Sequence, residues 1–126
     1  MNHDYLTLTD VIEMHRQLIA RFGGSHGVRE IGALESAVLR PQMGYYEDLI
    51  AEAAALMESL AMNHPFVDGN KRAGWLLAYV FLAKNGVELD PADDDEAYDL
   101  VIAVASGKLS EVDEIADVLR TFIPSS

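Results

Sequence analysis

Nine residues, His64-Pro65-Phe66-Val67-Asp68-Gly69-Asn70-Lys71-Arg72, constrain this chain more than any other stretch, because one helical pattern ends in them and another begins. Upstream, residues 51–63 predict a helix, with Leu49, Ala53, Leu56 and Leu60 at alternating four- and three-residue steps on one face. Pro65 stops it, since the residue before a proline is pushed out of the helical region. Downstream, residues 71–85 predict a second helix, dense in apolar side chains from 73 to 83 and closed by Gly86, a natural C-cap. A histidine, a carboxylate, an amide and two cations are thus held in one connection between two anchored helices.

The charge at the start of the second helix runs against expectation. A helix N-terminus carries roughly half a positive charge and unpaired N–H groups, so cations there cost about 0.3 to 1 kcal/mol each. Lys71 and Arg72 nevertheless occupy that first turn. The pattern makes sense if a ligand supplies the negative charge. Gly69 would let backbone N–H groups approach it, Asn70 would add an amide donor, and the two cations would complete a phosphate cradle. Asp68 would repel a phosphate directly, but a magnesium ion bridges carboxylate and phosphate oxygens. His64 could then take or orient a hydroxyl proton. Each residue alone has a local alternative: Asp68 or Asn70 as a helix cap, His64 as a packed histidine, Lys71 and Arg72 as solvated cations. All of them within nine residues favour a site.

These residues carry a resemblance. The block from 64 to 72 resembles the core motif of the Fic/Doc family, His-Pro-Phe-x-Asp/Glu-Gly-Asn followed by Gly or Lys and then Arg, with every fixed position filled. Gly27-Val28-Arg29, Leu34-Glu35-Ser36-Ala37 and Arg40-Pro41-Gln42 are similar to the region that precedes the motif in Doc-type members. The likeness covers roughly residues 3–122.

Two departures bear on the branch. Members that transfer AMP to hydroxyls usually carry glycine after the motif asparagine and a second arginine three residues after the first; here Lys71 and Trp75 stand at those positions. A lysine side chain changes how a nucleotide can lie, and loss of an arginine removes a phosphate clamp. Both are similar to the Doc branch. That resemblance implies a protein kinase that uses ATP and magnesium, binds the nucleotide reversed and moves its γ-phosphoryl group to a threonine of elongation factor Tu, arresting translation. It assigns His64 to the acceptor hydroxyl, Asp68 to magnesium, Gly69, Asn70, Lys71 and Arg72 to ATP phosphates, and Phe66 to pinning the loop. AMP transfer by the same site and a non-catalytic nucleotide- or partner-binding module remain alternatives; a magnesium phosphodiesterase would need further metal ligands than Asp68.

The rest of the chain limits partners. A length of 126 residues, half of them hydrophobic, suits one domain over residues 1–126 with a single core. A formal charge of −12 with nine basic residues argues against a direct nucleic-acid binder. Absence of cysteine excludes disulfides and thiolate metal sites. The first residues lack the pattern of a secretory signal, and the apolar run at 73–83 is shorter than the about 20 residues that cross a bilayer, so a cytoplasmic, membrane-free protein is expected.

An all-α bundle of about six helices is predicted, with a short flap or hairpin near the active site. Thr9 or Asp10 is expected to cap the first helix, with Val11, Met14, Leu18 and Phe22 inward and Gly23-Gly24 at its end. The glycine-rich segment 23–27 lacks the spacing of a P-loop and reads as a loop, and His15 and His26 as surface or packing histidines. A short helix over 30–40 places Ile31, Leu34 and Val38 inward and ends at Pro41. Met43, Gly44, Tyr45 and Tyr46 then form either an ordinary loop packed by its tyrosines or the flap that, in the family, docks the target segment by strand addition. Residues 87–89 read as a short extended piece. A fifth helix opens from the acidic run at 90–96, with Tyr98, Val101, Ile102 and Ala105 on its apolar side, and Ser110 with Glu111 and Asp113 caps a last helix bearing Val112, Ile115, Leu119 and Phe122.

From Glu88 onward there are eleven acids against two bases, Lys108 and Arg120, a surface suited to a basic partner segment. Many Fic relatives carry an internal inhibitory helix marked by Ser or Thr, three residues, Glu, then Gly or Asn. Ser110 and Glu114 have that spacing, but Ile115 follows, so the mark is incomplete and the resemblance implies inhibition by a separate antitoxin protein.

Overall fold

The helix spanning Leu49–Asn63 is buried on almost every side, and the rest of the chain wraps it. Its alanines at 51, 53, 54, 55 and 61 are at most 4% exposed, so neighbouring helices approach its backbone all round. The computed structural model describes residues 3–124. In order these form α1 (Leu8–Phe22), α2 (Ile31–Leu39), a 3₁₀ turn (Arg40–Gln42), α3 (Leu49–Asn63), α4 (Asn70–Lys84), α5 (Asp94–Ala105) and α6 (Val112–Thr121). α3 packs against α2, α4, α5 and α6, while α1 lies across α2 and α4. One hydrophobic cluster runs from Leu6 to Phe122. The all-α bundle of six helices is therefore as predicted. Among the described residues none of the helices is long and apolar enough to cross a membrane.

Local chemistry sets the helix ends. Thr7, and not Thr9 or Asp10, caps α1; Asp10 instead returns a bond to the Thr7 N–H, completing a capping box. Asp48 caps α3 through the Ala51 N–H, which with Arg120 holds its carboxyl below the usual range despite partial burial. Asp93 caps α5, and the last helix starts one residue later than expected, with Glu111 at its N-cap and no side-chain cap bond from Ser110.

Several inward assignments change. Phe22 and Ile31 are 55% and 51% exposed, because each lies at a helix end beyond the reach of α3. On α5 the buried stripe is Ala97, Leu100, Val101 and Val104, a step round from the expected one, leaving Tyr98 64% exposed. Residues 87–89 form no strand; Leu89 is buried and the Asp90 N–H bonds the Phe122 carbonyl. Nor is there a hairpin at 43–46, which is an irregular bend. The single β-type contact among the described residues is an isolated bridge between Val28 and Phe66.

Candidate active site

The loop between α3 and α4 is held by atoms of its own sequence and by two segments far away in the chain. Phe66 is 1% exposed and fills the core beneath the loop. The Asn70 amide clips both sides of the Phe66 backbone, accepting from its N–H at 2.9 Å and donating to its carbonyl at 3.0 Å. That amide is thereby committed to the loop. Any contribution of Asn70 to a phosphate cradle falls to its backbone N–H, one of the free donors of the first turn.

α1 supplies the floor. His15 is buried, stacks face to face on Phe66 with ring centroids 3.7 Å apart, and its Nε2–H donates to the Asp68 carbonyl at 2.8 Å. Because a carbonyl can only accept, this contact fixes the proton on Nε2. Gly69 rests on the same face with φ +75°, and a Cβ there would come within 3.1 Å of Leu18 Cδ2 and 3.2 Å of Ile19 Cδ1. Gly69→Ala is expected to lower stability by roughly 1–3 kcal/mol through left-handed strain and the displaced side chains. A denaturant midpoint equal to the unsubstituted protein's would show that the loop tolerates a side chain there.

The segment after α1 forms the wall. The Ser25 N–H donates to Asp68 Oδ2 at 2.9 Å, and the Val67 N–H donates to the Gly27 carbonyl. The N–H groups of Arg29 and Glu30 both donate to the Pro65 carbonyl. The Arg29 guanidinium donates from Nε to the His64 carbonyl at 2.9 Å and from Nη2 to the Asn63 carbonyl at 3.2 Å, closing the C-terminus of α3 with a cation where the helix dipole favours one. His64 has φ 48° and ψ 56°, the one non-glycine residue of positive φ among those described. It leaves the right-handed region as the following proline requires, but into the left-handed rather than the extended one, at a cost of roughly 1–2 kcal/mol. The exposed imidazole is thus presented from a backbone held by Arg29.

α4 begins without a cap: Gly69 occupies the N-cap, no side chain bonds the first turn, and no acid stands in it. Lys71 and Arg72 are exposed there, with the Arg72 guanidinium 4.6 Å above the Phe22 ring. His64, Asp68, Gly69, Lys71 and Arg72 therefore share one short loop and one helix start, open to solvent or partly so. Among the described residues no three potential metal ligands cluster. Asp68, exposed and with Oδ2 bonded to a single N–H, suits an ion held by one carboxylate plus phosphate oxygens, the usual magnesium arrangement.

The bend at 43–46 is tied to α3, and among the described residues no hydrogen bond joins it to the loop. Arg40 donates from Nε to the Tyr46 hydroxyl at 2.6 Å and from Nη1 to Glu58 Oε1, Ser59 Oγ and the Ala55 carbonyl. Met43 and Tyr45 stay outside, 58% and 76% exposed. Sequence reasoning read His15 as a surface or packing histidine, and it is indeed packed, but gave it no part in holding the loop; it named Arg29 only within the segment Gly27-Val28-Arg29 and did not single out Ser25.

Comparison with known proteins covers this whole region. The model of the Fic/DOC family matches residues 5–82. Toxin Doc of Mycolicibacterium smegmatis is 46% identical over 107 residues, spanning 80% of this chain and 82% of that protein. Protein kinase doc of Escherichia phage P1 is 33% identical over 126 residues, spanning 97% of this chain and 98% of its own.

Proposed function

This chain belongs to the Fic/DOC family, in its Doc branch, and from that premise we propose that it is the toxin of a toxin–antitoxin pair and acts as a protein Ser/Thr kinase. The observation that carries the reading is the uncapped, doubly cationic start of α4 beside Asp68 and His64. Phosphoryl transfer asks mainly for positioning and charge neutralisation, and that loop offers both. Residues 1–126 would work as one domain, and a cytoplasmic location follows from the proposed target, elongation factor Tu.

In this reading the free N–H groups of Gly69, Asn70 and Lys71, with the Lys71 ammonium and Arg72 guanidinium, hold the ATP phosphates. Asp68 would hold magnesium, which when bound neutralises charge on the phosphate oxygens. His64 orients the acceptor hydroxyl and takes its proton as the hydroxyl oxygen bonds to the γ-phosphorus. The bond from that phosphorus to the β,γ-bridging oxygen breaks, and ADP leaves. Met43, Gly44, Tyr45 and Tyr46 would receive the target segment, with Tyr46 anchored by Arg40 and Tyr45 free to contact it. A separate antitoxin with a basic segment would meet the acidic α5 and α6.

Label transfer tests this. Purified elongation factor Tu, magnesium and ATP labelled at the γ phosphate should give a labelled target. Label from the α phosphate instead would mean AMP transfer, and no label from either would refute catalysis on this target.

A further inference from the structure

Asp68 is exposed, yet α1 and the turn that follows it grip it at two points. At its backbone, the His15 Nε2–H donates to the carbonyl at 2.8 Å. At its side chain, the Ser25 N–H donates to Oδ2 at 2.9 Å. We propose that these contacts form a clamp that sets which oxygen Asp68 offers to a cation, and that His15 is a positioning residue for phosphoryl transfer, acting through Asp68. The proposal rests on the kinase reading above and adds to it how the metal-holding carboxylate is aimed.

Support of the fold does not account for the clamp. A hydrogen bond made in open solvent mostly replaces bonds to water, so the Ser25 contact contributes little net stability; what it does is orient the carboxylate. Lys71 and Arg72 follow Asp68 by three and four residues, yet among the described residues it forms an ion pair with neither. Its carboxylate is turned to the Gly24–Ser25 turn instead. Oδ2 is spent there, while Oδ1 accepts no hydrogen bond among the described residues. One open oxygen on a fixed carboxylate suits a magnesium ion shared with phosphate oxygens. Both holders are fitted closely. Gly24 has φ +110°, and a Cβ there would stand 3.4 Å from Asp68 Cβ and Oδ2 and 3.3 Å from Ile19 Cδ1. The His15 ring lies flat on Phe66, with centroids 3.7 Å apart and planes 2° apart, so its donor cannot swing away from the carbonyl.

Two substitutions separate donor from ring. His15→Phe keeps a ring to stack on Phe66 and removes the N–H; His15→Gln keeps an N–H donor at similar reach and removes the ring. Gly24→Ala presses on the other contact, in an exposed turn, and answers the question if His15→Phe does not fold. The experiment mixes the full chain with a non-hydrolysable ATP analogue and titrates manganese(II), a paramagnetic stand-in for magnesium, counting the free ion by electron spin resonance while circular dichroism gives the folded fraction. His15→Phe and Gly24→Ala should weaken manganese uptake at least about tenfold per folded molecule, the scale on which partners that orient a metal ligand act, with affinity for the metal-free analogue unchanged. His15→Gln should stay close to the unsubstituted protein, and excess magnesium should restore label transfer in the weakened variants. Unchanged uptake in folded His15→Phe, or in Gly24→Ala where that variant does not fold, would overturn the clamp, as would equal losses in His15→Gln and His15→Phe. Uptake of the expected pattern with no transfer to any protein would refute the kinase reading and leave the clamp standing. Transfer with an unshifted magnesium dependence in His15→Phe would do the reverse.

Discussion

His64→Ala should lower phosphoryl transfer by about 10²–10⁴-fold, the usual contribution of a positioned acid–base group, while ATP binding and folding persist. The imidazole is exposed and makes no hydrogen bond within the described residues, so its removal takes nothing from the core. The backbone at this position favours glycine, which accepts φ 48° without strain. His64→Gly should therefore be equally inactive and match the unsubstituted protein's stability within about 1 kcal/mol, because the strain relieved offsets the extra freedom of the unfolded chain. Rates of label transfer beside urea melts decide the matter. A folded His64→Ala variant with full activity would remove His64 from the chemistry.

Phe66→Ala should cost about 3–5 kcal/mol, a large fraction of the 5–15 kcal/mol that holds a domain of this size together. Three supports fail at once: the ring buried to 1% exposure, its stack on His15, and the level at which the Asn70 amide meets the loop. Transfer should fall with stability, since Asp68 and His64 are carried by the same backbone. Phe66→Leu, which keeps most of the volume, should lose markedly less of both. If Phe66→Ala melted at the original denaturant concentration, the ring would not be the pin of this loop.

What the sequence by itself determined is the part governed by short-range rules. Pro65 and Gly69 mark where one helix must end and the next begin, and apolar spacing alone forecasts α3 and α4 around them. The absence of any acid within the first turn of α4 was equally legible, because dipole and charge both lie within one turn. Turn-level detail near other helix ends was harder: Thr7, Thr9 and Asp10 are all good caps, and the choice among them depends on where the preceding chain docks.

Only the tertiary structure decided what surrounds the loop. His15 lies 53 residues from Asp68, Ser25 lies 43, and Arg29 lies 35 from His64, so their pairing depends on how α1 crosses α4. Phe22, at the end of α1, and Tyr98, on α5, are likewise left exposed along a groove between α1, α4 and α5, although helical periodicity placed both inside. Periodicity fixes the angle of a side chain about its own helix axis, but not which angles a neighbour will cover. That depends on the packing of six helices around α3, and it converts a motif into a site.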